Sequence, residues 1–309
     1  MKRYIFLAFC LLVSVGTNVY FFAQNLRSSE FEKSKKTFSY LSPRVLSDNN
    51  NDILIDFLPL RTKLHELTQD YDMTFAYQFE YLPTGNSLGL NEDVKFSAAS
   101  LIKLPVVMAY YHQKERLKQS EDPTVTIAPD DIDKGYGDLW TKGAGAPVNL
   151  LDAVRLSLTA SDNTAIMMIA HRVEKKDFDA VYEGLDIDFQ QVGNEVIITV
   201  QQYAYILKSL YFSSVLTQKD SQAILTMLTQ TDFRDKLVAG VPAGIMVAHK
   251  TGQLADQLFQ DCGIVFLPKR PYILCMVSKS DEQSTARRMK DLSKTIYDYV
   301  STVTNETKD

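Results

Sequence analysis

Three short patterns in this sequence combine hydroxyl and amine side chains in ways that suit nucleophilic catalysis. They are Ser100-Leu101-Ile102-Lys103 (S-x-x-K), Ser161-Asp162-Asn163 (S-D-N) and Lys250-Thr251-Gly252 (K-T-G). A serine hydroxyl is a weak nucleophile and needs an adjacent base, which a neutral lysine amine can be. Each triplet alone carries little weight, because Ser47-Asp48-Asn49 repeats S-D-N inside a polar segment. Their order, spacing and context together predict a serine nucleophile with a lysine base.

Ser100 stands at the start of an apolar helix predicted over residues 100–117. A serine there is often only a helix cap, which is the alternative interpretation. Lys103 follows one turn later on the same face, in an apolar stretch where a solvated surface charge is unexpected. The positive end of the helix dipole and a second nearby cation would both lower the pKa of Lys103 and favour its neutral form.

The S-D-N motif lies between an amphipathic helix and a nearly all-apolar one. Asp162 is expected to cap the second helix. Ser161 and Asn163 would then point into a cleft, where Ser161 carries a proton and Asn163 hydrogen-bonds a substrate backbone.

The K-T-G motif is predicted to end a strand that begins at Gly244. A lysine at a strand end is ordinary, but in a cleft Lys250 and Thr251 would bind a carboxylate. The strand edge that follows could pair with an extended substrate, and the backbone N–H of Gln253 could face a developing oxyanion.

Hydrophobic periodicity predicts the elements that position these motifs. A first helix covers Phe57 to Tyr71, and a closing helix buries Met289, Leu292, Ile296 and Val300. Strict alternation predicts a half-buried strand over 73–81. Four further strands are expected at 87–90, 244–250, 262–267 and 272–278. The fold class is therefore α/β: an antiparallel five-stranded sheet covered by the N- and C-terminal helices, with an inserted all-α subdomain.

The chain divides into three segments by composition. Residues 1–23 carry Lys2 and Arg3 before an apolar run, which predicts a membrane anchor or, alternatively, a cleaved signal peptide. Residues 24–52 form a polar stalk. Residues 53–305 form the folded domain, with an α/β part over 53–100 and 235–305 and a helical part over 101–234. We expect a cell-membrane protein with an extracytoplasmic domain, or a secreted one if the segment is cleaved.

Composition excludes several classes of protein. Apolar residues make up 45% and charged residues 23% of the 309 residues, which is typical of a globular chain. The net charge of −5 argues against a nucleic-acid partner. The four histidines lack HExxH spacing and there are only three cysteines, which argues against a metal site. We expect no cofactor. We also expect the protein to be a monomer.

Cys262 and Cys275 lie on two strands joined by a predicted hairpin. If Leu267 faces Tyr272, the two cysteines are diagonal neighbours, whereas a disulfide needs directly apposed Cβ atoms. We therefore expect two free, packed thiols.

The ordered motifs resemble the penicillin-recognising serine enzymes, that is, class A β-lactamases and the related D-alanyl-D-alanine peptidases. The resemblance runs from about Ile53 to Val300, and residues 96–103, 158–165 and 249–252 extend it beyond the bare triplets. It implies an acyl-enzyme formed on Ser100 with Lys103 as base.

The same resemblance implies the remaining roles. Ser161 relays a proton to the leaving group, and Asn163 orients the substrate amide. Lys250 and Thr251 hold the substrate carboxylate. The N–H groups of Ser100 and Gln253 form the oxyanion hole, and Tyr136 is either an aromatic wall at the cleft mouth or a packing residue.

One departure bears on the reaction. Class A β-lactamases carry an E-x-x-L-N loop whose glutamate activates the deacylating water, and this pattern is absent here. Glu195 and Asp188 are the candidate substitutes, although both also fit a solvated surface. We therefore expect a peptidase acting on peptidoglycan stem peptides, with a β-lactamase acting on β-lactams as the alternative. A catalytically silent binding module is the second alternative.

Overall fold

The computed structural model describes Tyr20 and residues 56–71, 74–187, 190–193, 195–255 and 257–302. The expected anchor over 1–23, apart from Tyr20, and the expected stalk over 24–52 lie outside the described residues. Within those ranges no helix is both long and apolar enough to span a bilayer. The domain boundaries therefore stay predictions.

The described residues form eight α-helices and ten strands. The helices are α1 (Leu58–Thr68), α2 (Lys103–Arg116), α3 (Leu150–Thr159), α4 (Asn163–Ala170), α5 (Lys175–Leu185), α6 (Val200–Phe212), α7 (Gln218–Leu228) and α8 (Glu282–Thr302). The strands are β1 (Phe75–Tyr81), β2 (Asn86–Leu90), β3 (Phe96–Ser97), β4 (Thr124–Thr126), β5 (Pro147–Asn149), β6 (Gln190–Val192), β7 (Glu195–Ile198), β8 (Val247–Leu254), β9 (Leu258–Val265) and β10 (Tyr272–Lys279). A 3-10 turn, Ala99–Ile102, leads directly into α2.

The central sheet has five antiparallel strands in the order β2-β1-β10-β9-β8, which confirms the predicted fold class. Helices α1 and α8 cover one face, where the apolar stripe of α8 is fully buried. The other face packs against the helical part, with α6 on β1, β9 and β10 and α7 on β8. The sheet thus separates two hydrophobic cores, and β8 forms one of its edges.

Strand β1 is buried along its whole length, not half-buried as its alternation predicted. Phe79 and Tyr81 face α1, whereas Gln78 and Glu80 face the helical part and are 5% and 3% exposed. Glu80 is paired there with Lys208 of α6 at 2.6 Å. A polar residue in an alternating pattern can therefore lie inside when a partner covers the second face.

Strand β10, at 272–279, confirms the prediction of 272–278, but the two strands before it differ in position. Strand β8 covers 247–254, not 244–250, and β9 covers 258–265, not 262–267. Val265, not Leu267, pairs with Tyr272, because the β9–β10 connection takes up six residues. Cys262 is therefore directly opposite Cys275, and the predicted diagonal arrangement is wrong. Both thiols are nevertheless free and buried, as expected.

The described residues also form two small sheets that the sequence did not predict. Strands β3, β7 and β6 form one, and β4 and β5 form the other. The first matters for the site, because β3 leads into the turn that carries Ser100.

Candidate active site

Ser100 lies in the 3-10 turn between β3 and α2. The N-cap residues of this turn and of α2 are Ala98 and Ile102, so Ser100 is not at a cap position and the helix-cap interpretation does not hold. The preceding residue, Ala99, has φ of 44°, in the left-handed region that costs an alanine about 1 kcal/mol. Gln260 on β9 ties down this segment by donating from Nε2 to the carbonyl of Ser97 at 2.6 Å. The fold thus holds Ser100 in a fixed, strained turn at the edge of a cavity.

Lys103 is the first residue of α2 and is only 4% exposed. Its Nζ donates to Ser161 Oγ at 3.1 Å, to Asn163 Oδ1 at 2.7 Å and to the carbonyl of Ser161. Burial lowers the pKa of Lys103 to about 8, against the opposing effect of the Asp162 and Asp133 carboxylates. The lowered pKa makes the neutral form, which a general base requires, far more accessible than for an ordinary lysine.

Ser161 lies between two lysines. Its Oγ accepts from Lys103 at 3.1 Å and from Lys250 Nζ at 2.9 Å. Lys250 is fully buried and also donates to the carbonyl of Thr251 at 3.0 Å. Burial, reinforced by the charge of Lys103, holds the pKa of Lys250 well below its usual value. A hydroxyl oxygen can accept two hydrogen bonds, and the two lysine amines fill both positions on Ser161 Oγ. The O–H of Ser161 is therefore left to donate to another group.

Asp162 and Asn163 fix the start of α4. Asp162 caps the helix, as predicted, by accepting from the backbone of Ala165 at 2.8 Å, and it also accepts from Leu139 at 2.8 Å. The backbone N–H of Asn163 donates to the carbonyl of Tyr136 at 2.9 Å. These bonds bring the loop that carries Tyr136 against the S-D-N motif.

Asp133 is a site residue that the sequence analysis missed. Its Oδ1 accepts from Asn163 Nδ2 at 3.0 Å and from the backbone of Gly135 at 2.7 Å. Since a carboxylate only accepts, it orients the amide of Asn163 so that Oδ1 faces Lys103. No local pattern distinguishes Asp133 from the neighbouring Asp130 and Asp131, so only the tertiary structure identifies it.

The K-T-G motif lies inside β8, so the prediction that it ends the strand is wrong. Pairing continues to Leu254 opposite Leu258, which holds the polar end of the strand extended. A Cβ on Gly252 would lie 2.2 Å from Gln260 Oε1 and 3.5 Å from Ala99 Cβ. The glycine therefore allows β8 to approach the turn that carries Ser100. Behind the strand, the buried pair His249 Nδ1 and Asp261 Oδ1, 2.8 Å apart, supports it.

These elements enclose a cavity of about 530 Å³. The lining includes six of the seven predicted site residues, namely Ser100, Lys103, Ser161, Asn163, Thr251 and Gln253. The seventh, Lys250, is buried and reaches the cavity through Ser161. Tyr136 is 48% exposed at the cavity and packs on Phe233, with ring centroids 5.9 Å apart. Phe233 and Lys236 also line it and were not predicted.

Carboxylates are scarce around Ser100. Among the described residues, Asp133 is the only acid that lines the cavity. Glu195 begins β7, is exposed and is not in the lining, while Asp188 lies outside the described residues. Nor does the described part of the chain contain a group of three or more His, Cys, Asp or Glu residues placed to hold a metal ion.

Comparison with known proteins agrees with this geometry. The sequence matches the Beta-lactamase2 family, described as the β-lactamase enzyme family, over residues 59–300. The chain belongs to this family. It is 23% identical over 234 residues to Beta-lactamase 3 of Bacillus cereus, covering 71% of this chain and 73% of that protein. It is 24% identical to a β-lactamase of Bacillus licheniformis, covering 65% and 69%.

Solved structures share the fold. PBP-A superposes with a TM-score of 0.72 at 22% identity, covering 80% of this chain and 97% of PBP-A. A β-lactamase from Sphaerobacter thermophilus gives a TM-score of 0.72 at 21% identity, with coverage of 81% and 99%. The chain is thus a β-lactamase-like protein by its family, with the fold of these solved structures.

Proposed function

We propose that the protein is a serine hydrolase that works through an acyl-enzyme on Ser100. The Ser100 hydroxyl attacks the carbonyl carbon of an amide and passes its proton to the neutral amine of Lys103. The developing oxyanion is stabilised by the backbone N–H groups of Ser100 and Gln253. The chain Lys103–Ser161–Lys250, with bonds of 3.1 and 2.9 Å, supports the next transfer. Ser161 gives its proton to the leaving nitrogen as the C–N bond breaks, and a lysine ammonium replaces that proton.

Substrate binding follows from the position of β8 at the edge of the sheet. Thr251 lines the cavity and provides a hydroxyl for a carboxylate, with the amine of Lys250 behind it on Ser161. The exposed strand edge can pair with an extended peptide. Asn163 offers its second amide hydrogen to the acyl part of the substrate. A short peptide with a free carboxyl terminus fits these groups.

The preferred substrates are peptidoglycan stem peptides ending in D-Ala-D-Ala. The observation that carries this proposal is the lack of a free carboxylate beside Ser100 in the described lining, where Asp133 is bonded to Asn163 and Gly135. Deacylation of a penicillin ester needs a water and a base, since the opened ring keeps its leaving group in place. A peptide avoids this obstacle because its leaving group departs. PBP-A, which has the same fold, is also solved as an acyl-enzyme complex of a mutant with penicillin G.

A β-lactamase is the second candidate. The two Bacillus proteins that match the sequence are both named β-lactamases. Asp188 or Glu195 would then have to supply the deacylation base. The set of Ser100, Lys103, Ser161 and Lys250 argues against a silent binding module.

We place the catalytic domain outside the cytoplasm, attached to the membrane by residues 1–23 or released after their cleavage. The support is the pair of cations before an apolar run in the sequence. Stem peptides are also found on that side of the membrane.

Mass spectrometry after a pulse of penicillin tests the catalytic proposal. A persistent adduct on Ser100, together with release of D-Ala from an N-acylated D-Ala-D-Ala peptide, is the expected result. Rapid loss of the adduct with hydrolysed drug would instead establish the β-lactamase. If neither an adduct nor peptide cleavage occurs, the protein is a binding module.

A further inference from the structure

The amide of Asn163 separates the two lysines of the site from a single carboxylate, Asp133. Lys103 and Lys250 surround Ser161, which gives its proton to the leaving group in the proposed function. Asp133 accepts from Asn163, the side chain that the proposed function assigns to the acyl part of a substrate. Of the described residues in the lining, Asp133 is the only one with a negative charge.

The carboxylate of Asp133 has unused hydrogen-bonding capacity. Its two side-chain bonds, from Asn163 Nδ2 and the Gly135 N–H, both end on Oδ1 and both come from neutral donors. Within the described residues no ion pair joins Asp133 to a Lys, Arg or His side chain. The neighbouring cation, Lys134, instead lies over the ring of Trp140, with Nζ 5.3 Å from its centroid.

We propose that Asp133 determines specificity by favouring acyl donors that carry an ammonium group near the amide held by Asn163. This inference rests on the proposed function. An ammonium there would pair with Asp133 Oδ2, while Oδ1 keeps its bonds to the protein. Ile166 and Met167 add apolar surface to the same cavity.

Penicillins that differ at a single carbon provide the probes. Penicillin G, ampicillin and carbenicillin share one ring nucleus, and the carbon next to their side-chain amide carries hydrogen, an ammonium or a carboxylate. The second-order rate constant of acylation is measured for each at about pH 6.5, where an α-amine is mostly protonated and an aspartate ionised. The full chain is compared with Asp133→Asn and with Asp138→Asn, which removes the same charge from an exposed residue of the same loop.

In the parent chain, the acylation rate constant of ampicillin relative to that of penicillin G should exceed the rate constant of carbenicillin relative to that of penicillin G. Asp133→Asn should lower the first ratio and raise the second, each by about threefold, as expected for a partly exposed ion pair. Asp138→Asn should change neither ratio. A purely structural role of Asp133 would lower all three rates equally, and unchanged ratios in a folded Asp133→Asn variant overturn the inference.

The parent chain alone provides a second test if Asp133→Asn does not fold. The ampicillin advantage should disappear as pH rises above about 8, because the α-amine loses its charge there. A ratio that stays constant with pH overturns the specificity proposal alone. If none of the three compounds acylates the parent, the proposed function fails and this inference fails with it.

Discussion

Two amines held against one hydroxyl are the central feature of the site at the scale of single residues. Lys103 and Lys250 both donate to Ser161 Oγ, and burial lowers the pKa of both lysines. Two full positive charges in this position would repel each other. The arrangement therefore favours one neutral amine, which can take the proton of Ser100.

Replacing the nucleophile should abolish acylation. In Ser100→Ala the attacking oxygen is missing, so we expect no labelling by a fluorescent penicillin, measured on denaturing gels. Ser97→Ala, three residues earlier on β3, is the matched control and should label normally, because its side chain makes no bond described for the site. Labelling of Ser100→Ala at the parent level would assign the nucleophile elsewhere.

Replacing the base should slow acylation without unfolding the domain. Lys103→Ala is expected to reduce the acylation rate by about 10²–10⁴-fold, the usual contribution of a general base. Stopped-flow kinetics with nitrocefin measures the rate, and thermal unfolding checks the fold. An unchanged rate would mean that another group accepts the proton.

The pH dependence of acylation should report the charge of Lys103. The amine is protonated below its pKa of about 8 and cannot act as a base there. The rate should therefore rise with pH and level off above about 8, and Lys103→Ala should lose this rising limb. A parent rate that stays flat between pH 6 and 9, a window of about one to two units around that pKa, contradicts the assignment.

The site residues that could be predicted from the sequence are those whose residue types and spacing form a motif that rarely occurs by chance. Ser100 and Lys103 are one helical turn apart, and the structure brings both to the cavity with Ser161 and Asn163. Asp133 could not be predicted, because its role depends on a contact 30 residues away in the chain.

At the scale of elements, the clearest difference between prediction and structure is the course of β8. Hydropathy falls after His249, which suggested an end of the strand near Lys250. The strand continues because its backbone pairs with β9 as far as Leu254. Since β8 is an edge strand, its other edge has no neighbour in the sheet, and polar residues are tolerated there. Strand register depends on partners that the sequence does not show.

Gly252 controls the distance between β8 and the turn that carries Ser100. In Gly252→Ala the new Cβ would meet Gln260 Oε1 at 2.2 Å, so β8 or Gln260 must shift. We expect acylation to fall by about 10–100-fold, since small misplacements at a reacting centre are costly. Gly184→Ala in α5, where the Cβ would meet Val215 at an ordinary 3.4 Å, should acylate normally. Equal rates for the two variants would contradict this account of Gly252.

The β6–β7 hairpin bears on how long the acyl-enzyme lasts. Glu195 lies on it, exposed and outside the cavity lining. We therefore expect the penicillin ester to persist for minutes or longer, and Glu195→Gln to leave its lifetime unchanged, as followed by mass spectrometry. Rapid turnover that is lost in Glu195→Gln would make Glu195 the deacylation base.

At the scale of the whole molecule, the sequence of the first and last helices was enough to predict that they cover the sheet. The 3.6-residue repeat of Met289, Leu292, Ile296 and Val300 indicated one buried face of the closing helix, and all four side chains are fully buried. The burial of Gln78 and Glu80 could not be predicted, because it requires knowing that α6 covers the second face of β1.

Attachment to the membrane should depend on the first 23 residues. The full chain is expected in the membrane fraction, or as a shortened secreted form if the segment is cleaved, and intact mass distinguishes the two. Removal of residues 1–23 should give a soluble protein that acylates at the parent rate. Recovery of the full-length chain from the cytosol would contradict the proposed location.

The order of strands in the sheet also has a consequence for how the chain folds. Strand β1 pairs with β10, and Thr74 Oγ1 donates to the carbonyl of Lys279, 205 positions later in the chain. The first two strands therefore have no partner in the central sheet beyond each other until nearly the whole polypeptide has been made. Such high contact order slows folding and leaves apolar strand edges open to aggregation meanwhile. Refolding yield should accordingly fall steeply as protein concentration rises.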